Sequence, residues 1–442
     1  AVSTAFEAHY ETDEEYAARI ASLWREAADP VRERPYLFRA GLLAAEQFRN
    51  REAQAFYERA YTLTPEKNRR ERLDILLAQA KLFFTLGLQH EQEQLFEQMG
   101  ELAEALGDAN YLAKFYLRQI FYNFSVGDLS QTVKNSLATL HYAEQSGNLQ
   151  AQGVAYRFLG SVNVAVGKIQ SAIKNFERSL EINLRGDNPY EIAVSKMILG
   201  GTIGTYGRFV EAQKLLDAAV DYLRHAEVKH RESIAVSYRA SNAWRSGQLD
   251  AAAQDAERAH ELAAATGDRM ATDLAPNALA QVANAQGRLE EAWGYSKQAT
   301  NRMRHNNNLF YLMIALQDQA SIGIRRQAWD DVQTAYEEAL QLAKLFGDEL
   351  TILACQAGAA RAAMMGQQPS EHFLNPLLTC LSEGVTLQYV RYPIRFCLNV
   401  YHALQDRHPA QAAEIITEGY QLLQSLAKQF EDDESRSAYL NG

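Results

Sequence analysis

The chain has 442 residues, 47% of them hydrophobic and only 9 of them proline, enough apolar material for many uninterrupted helices. With 44 basic against 55 acidic residues the net charge is −11, and no stretch is dominated by Lys and Arg, which argues against direct binding of nucleic-acid phosphates. Three cysteines (Cys355, Cys380, Cys397) are too few and too scattered for a disulfide framework or a zinc site, and no run reaches the roughly 18 apolar residues of a membrane span.

In chain order, residues 1–32 are expected to form an N-terminal capping helix region, with Ala8 to Trp24 as its helix. The opening AVSTAFEAHYETDEEY lacks the basic start and apolar middle of a signal peptide, so a cytoplasmic protein is expected. Residues 33–366 carry a repeat. Gly87, Gly127, Gly167, Gly207, Gly247 and Gly287 recur every 40 residues. A second series trails them: Gly107-Asp108, Gly147-Asn148, Gly186-Asp187, Gly267-Asp268 and Gly347-Asp348. Inside a helix each glycine costs about 0.5–1 kcal/mol relative to alanine, whereas at a turn it permits positive φ. Two turns per unit predict two helices per unit, and the segments between carry helical spacing.

Small residues mark how those helices pack. Ala172, Ala212, Ala252 and Ala292 follow the glycines, and Ser179, Ala219, Ala259 and Ala299 lie two turns further on the same face. Gly160, Gly200, Ala240, Ala280 and Ala320 make the matching small position on the preceding helix. Replacing Ala252 with Leu is expected to overpack this seam at a cost of about 1–3 kcal/mol in urea unfolding. From Gln367 onward the register slips and Pro369, Pro376, Pro393 and Pro409 accumulate, so residues 367–442 are expected to form irregular terminal repeats and a capping helix.

Two stretches resemble a known signature. Gly41, Ala53, Tyr57, Ala60 and Pro65, and again Tyr156, Leu159, Gly160, Ala172, Phe176 and Ser179, look like the tetratricopeptide repeat. The first lacks that signature's early aromatics, having Leu37 and Ala44, and has Ala40 for the usual Leu. The period is longer than the family's 34 residues. The longer form resembles the MalT-like repeats of bacterial STAND-class signalling ATPases and transcription activators, over roughly Pro35 to Ala343. The resemblance implies an all-α, right-handed α-solenoid of tandem antiparallel helix pairs. Ala8-His9-Tyr10 and the acidic ending Asp432 to Leu440 are similar to the two ends of the repeat arm in those ATPases. A capping helix and a frayed end are the plainer reading of both.

No motif for catalysis is found. Gly167-Lys168 lacks the Ser or Thr of a phosphate-binding loop, having Ile169, and Val162 stands where its first glycine belongs. Gly200, Gly201, Gly204 and Gly207 follow no predicted strand. The ten histidines are dispersed. No enzyme, cofactor or metal site is therefore expected.

In the family the first helix of each pair lines a concave groove. Carried onto this chain, the groove positions are Leu117, Phe121 and Phe124, then Arg157 and Ser161, then Thr205. Further along they are Ser237, Ser241, Trp244 and Arg245, then Asn277, Gln281 and Asn284, then Gln317, Ser321 and Arg325. Arg157, Ser241, Trp244, Arg245, Asn277, Gln281, Asn284, Gln317 and Arg325 form the expected partner or ligand set. Asn277, Gln281 and Asn284 share a helix face, and amides both donate and accept. Taken singly, each of these is more simply read as a wet surface position; as a group, the polar row flanked by Arg245, Arg325 and Trp244 points to a partner. The carboxylate clamp of chaperone-tail binders is not matched, since Ser161 stands for its Asn. The expected function is a non-catalytic scaffold and sensor arm that docks a protein or peptide, including domains of a parent ATPase. The alternative is a metabolite sensor.

Overall fold

The computed structural model describes residues 2–47 and 49–441, which hold 23 α-helices and two short 3-10 turns. Among the described residues there is no strand. Two compact units divide the chain, residues 1–158 and 159–442. The first holds α1 (Val2–Tyr10), α2 (Ala17–Glu26), α3 (Pro30–Glu46), α4 (Asn50–Leu63), α5 (Arg69–Leu86), α6 (Gln89–Leu106), α7 (Ala109–Ser125) and α8 (Leu129–Ser146). Helix α9 (Leu149–Ala165) crosses the division. The second unit continues with α10 (Ile169–Arg185), α11 (Pro189–Thr205), α12 (Phe209–His225), α13 (Lys229–Arg245), α14 (Leu249–Thr266) and α15 (Arg269–Ala285). It then runs through α16 (Leu289–His305), α17 (Leu309–Arg325), α18 (Trp329–Phe346), α19 (Glu349–Met365) and α20 (Glu371–Glu383). The last elements are α21 (Pro393–Leu404), α22 (Pro409–Ala427) and α23 (Asp433–Asn441). Consecutive helices from α2 to α8, from α10 to α20, and α21 with α22 pack on one another, the architecture of a tetratricopeptide-type solenoid. Among the described residues no helix is long and apolar enough to cross a membrane.

The glycine beat is a beat of backbone conformation. Gly87, Gly127, Gly167, Gly207, Gly247 and Gly287 all have φ between 70° and 92°. Gln327 and Gln367, at φ 56° and 57°, carry the same turn onward without glycine. The second series is also left-handed, at Gly107, Gly147, Asp187, Glu227, Gly267, Asn307 and Gly347. One expectation needs correcting: Gly186 is right-handed at φ −80°, and its neighbour Asp187 makes the turn at φ 46°. An aspartate tolerates that region because its short side chain bonds locally. The residue after the left-handed one often caps the next helix. Asp108 Oδ1 accepts from the backbone N–H of Asn110 at 2.9 Å, and Asp268 Oδ1 accepts from that of Ala271 at 2.9 Å. A Gly-Asp pair thus ends one helix and starts another in two residues.

The small-residue seam is closed. Ala172, Ala212, Ala252 and Ala292 are each 0% exposed, as are Ala240 and Ala280. Gly160 lies under the ring of Phe176 and Gly41 under that of Tyr57, so a Cβ at either would run into the ring.

In the second unit the C-terminal segment packs back on the start of α12 and on the turn before α14. Gln429 Nε2 donates to the Gly207 carbonyl at 2.9 Å, and its Oε1 accepts from the Val210 N–H at 3.2 Å. Phe209 stacks on Phe430 and tilts against Tyr439. A Cβ on Gly247 would strike the backbone of Ala438. The acidic tail is therefore a docked helix, its Arg436 Nη2 donating to the Phe430 carbonyl at 2.8 Å.

Candidate functional site

In residues 159–442 the odd helices touch one another, α11 with α13, α13 with α15, α15 with α17 and α17 with α19. No pair of even helices among the described residues makes comparable contact, so the stack is tighter on the odd side and the odd helices form its inner face.

Asp318 of α17 is the centre of that face. It is 2% exposed and accepts four hydrogen bonds. Its Oδ2 receives Gln281 Nε2 at 2.6 Å, Tyr392 Oη at 3.1 Å and Asn277 Nδ2 at 3.2 Å. Its Oδ1 receives Arg395 Nη1 at 3.2 Å, and the same nitrogen donates to the Gln317 carbonyl at 3.1 Å. A buried carboxylate persists only when its lone pairs are met, and four donors meet them here.

The residues expected to face a partner are largely engaged by this network. Ser241 Oγ donates to Gln281 Oε1 at 3.1 Å, and Gln317 Nε2 donates to the Met313 carbonyl at 3.1 Å. Arg325 Nη1 donates to Asn284, at Oδ1 (3.2 Å) and also at the backbone carbonyl. Trp244 and Tyr392 meet edge to face, and the Arg245 guanidinium lies 5.4 Å and 5.3 Å from their ring centres. Arg245 Nη2 also donates to Tyr392 Oη at 3.3 Å. Gln281, Asn284 and Gln317 are buried, and the segment before and within α21 brings Tyr392 onto Asp318 and Arg395 onto Asp318 and the Gln317 carbonyl. Arg157 belongs to the first unit, where its guanidinium lies 6.0 Å from the Phe158 ring.

Beside this network is a second group that sequence reading did not assemble. Tyr238 of α13 and Tyr311 of α17 share a 2.6 Å hydrogen bond, and Arg231 Nε donates to Tyr190 Oη at 3.3 Å. Arg391 lies 6.0 Å from the ring of Tyr206 and 5.7 Å from that of Phe310. Its Nε and Nη2 are buried without an acceptor, as are Arg245 Nε and, on the acceptor side, Asn277 Oδ1. Burial works against the Arg391 charge, but Tyr206, Tyr392, Asp348 and Asp318 outweigh it and raise its pKa further. Burial raises the pKa of Tyr238 well above the ordinary value and raises that of Tyr311, with both hydroxyls left neutral. Among the described residues no group of three His, Cys, Asp or Glu side chains is placed to hold a metal.

Paired helices and left-handed turns at a fixed beat define a tetratricopeptide-type solenoid. More particularly, residues 138–344 match the family model of the MalT-like TPR region, and that stretch is a repeat region of this type. No curated protein matches the chain. Among solved structures, the Rap protein complexed with competence and sporulation factor is similar at a TM-score of 0.61 and 17% identity, over 81% of this chain and 100% of that one. The apo quorum sensor NprR from B. thuringiensis gives 0.48 at 10% identity, over 80% of this chain and 99% of that one. Aspartyl phosphate phosphatase F from Bacillus subtilis gives 0.46 at 15% identity, over 80% and 94%. The likeness to the Rap protein is one of fold.

Proposed function

We propose that the chain is an interaction scaffold whose inner face in residues 159–442 holds a protein or peptide partner. The observation that carries this reading is the Arg391 guanidinium, with two buried nitrogens and no acceptor from the described residues. The surroundings keep the guanidinium charged, but each buried N–H donor left without an acceptor costs about 1–3 kcal/mol. The carbonyls or carboxylates of a partner segment supply the missing acceptors, and the tyrosines around Arg391 add donors and flat apolar contact. The Rap protein, which shares the fold, was crystallised with competence and sporulation factor, which supports the reading.

The test is site-specific photo-crosslinking in cells producing the chain, with the crosslinker at Thr205 beside Tyr206 or at Glu177 on α10. A discrete protein adduct is expected from position 205 only, lost when Arg391 is replaced by Gln. Adducts from position 177 alone defeat the reading. Saturable stabilisation by a metabolite without any adduct moves it to the sensor alternative.

The same reading takes the chain to be the C-terminal sensor arm of a larger signalling ATPase, supported by its MalT-like repeats and the resemblance at both ends. An antibody to the chain is expected to reveal a native protein well above 49.6 kDa. A band at the mass of the chain removes the parent ATPase and leaves the scaffold.

A further inference from the structure

The inner side of the first unit contains a cavity of about 360 Å³ between α3, α4, α5 and α7. That volume falls within the range of about 300–1,000 Å³ that small-molecule sites occupy. One part of its wall is apolar, with Phe38, Tyr57 and Leu77. Another part is cationic, with Lys81, Lys114 and Arg118.

Arg118 is the unusual member. It is half-buried, its guanidinium lies 5.9 Å from the centre of the Phe121 ring, and among the described residues no carboxylate pairs with it. The two acids of the same wall do not serve it. Asp74 accepts the Tyr111 hydroxyl at 2.9 Å, and Glu46 is exposed at the mouth, where it acts on Tyr57. Burial alone moves the Arg118 pKa, down to about 10, which still leaves the group charged at neutral pH. A guanidinium held beside an apolar wall with no counter-ion matches a planar two-oxygen anion better than it matches water, since a carboxylate takes two parallel N–H bonds from the fork.

We propose that this cavity binds a carboxylate that carries an aromatic or branched apolar body. The carboxylate sits on Arg118 with Lys114 beside it, and the body lies against Phe38, Tyr57 and Leu77. The same chemistry is offered by a free organic acid and by the C-terminus of a peptide ending in an apolar residue. The proposal stands apart from the reading of Arg391, since it uses only residues 1–158.

Calorimetric titration of the full chain tests it with two probes, 3-phenylpropionate for the free acid and N-acetyl-leucyl-phenylalanine for the chain terminus, each against its amide. One acid is expected to bind at least about tenfold tighter than its amide. Whichever acid binds tighter names the source. Arg118→Gln should abolish the difference between acid and amide, and Arg118→Lys should restore part of it, with unchanged circular dichroism for both variants. Equal binding of acid and amide, an undiminished difference in Arg118→Gln, or no saturation by either acid at millimolar concentration overturns the proposal.

Discussion

Asp318 in residues 159–442 and Arg118 in residues 1–158 both stand on odd helices of largely apolar sequence, Leu309–Arg325 and Ala109–Ser125, and they meet opposite surroundings. Asp318 has four donors, two of them from Tyr392 and Arg395, more than 70 residues away in the chain. Arg118 has no counter-ion and a cavity in front of it. The repeat backbone is the same in both places, so the difference comes from what the chain brings back to the inner face. Where a terminal segment returns, an inward charge becomes a fastening. Where nothing returns, the charge remains available to a ligand.

The largest expected effect breaks the fastening. Asp318→Ala leaves Arg395 without its carboxylate and Gln281, Asn277 and Tyr392 without their acceptor, at a cost of about 3–5 kcal/mol in urea unfolding. Adding Arg395→Met should recover part of that loss, since an apolar pair replaces the orphaned cation. A loss below about 1 kcal/mol would mean that water substitutes freely and the network holds little together.

The matching change in the first unit should have the opposite sign. Arg118→Met removes a desolvated charge that nothing compensates and keeps its apolar length, so a gain of up to about 1 kcal/mol is expected. The readout is the shift in urea midpoint at constant slope. A loss comparable to that of Asp318→Ala would show that Arg118 is a structural group after all, and the contrast between the units would collapse.

How far the sequence disclosed this follows from the range of each signal. The turns were legible wherever glycine marks them, because a left-handed residue is costly for most other side chains. They were hidden at Glu227, Asn307, Gln327 and Gln367, which hold the same conformation without glycine. The seam of Ala240, Ala252, Ala280 and Ala292 was legible for the same reason: close helix approach restricts residue size. The amides Asn277 and Gln281 were visible through their helical spacing, but the acceptor that orients them was not. Asp318 pairs with Tyr392 and Arg395 across a separation that leaves no periodic trace. A weaker clue was present, a single carboxylate in the apolar run Leu309–Ile324, and Arg118 among Tyr116, Leu117, Ile120 and Phe121 gave its counterpart.

The smallest expected effect sharpens the contrast through pH, since two buried carboxylates are shifted in opposite directions. Glu33 in the first unit is 2% exposed; burial works to raise its pKa, but Arg59, at 2.5 Å and 2.9 Å, and Arg25, at 2.8 Å, outweigh it and the pKa is lowered below 4.5. Its stabilising contribution is present above the unfolded value and is lost as pH falls through the lowered folded value. Asp273 in the second unit is 0% exposed; burial raises its pKa despite the amides of Asn306 at 2.7 Å and Asn308 at 2.9 Å. Its contribution is therefore present below the unfolded value and is lost as pH rises through the raised folded value. Acidification should loosen α3 while sparing α15, and the effect should be modest because Arg25 and Arg59 are largely open to solvent and screened. Hydrogen exchange, corrected for intrinsic rates, separates the two helices: protection of residues 30–46 should fall before that of residues 269–285. In Glu33→Gln that order should vanish, because the titrating group is gone. Simultaneous loss of protection in both helices of the wild-type chain would mean that a group shared by neither network governs acid unfolding.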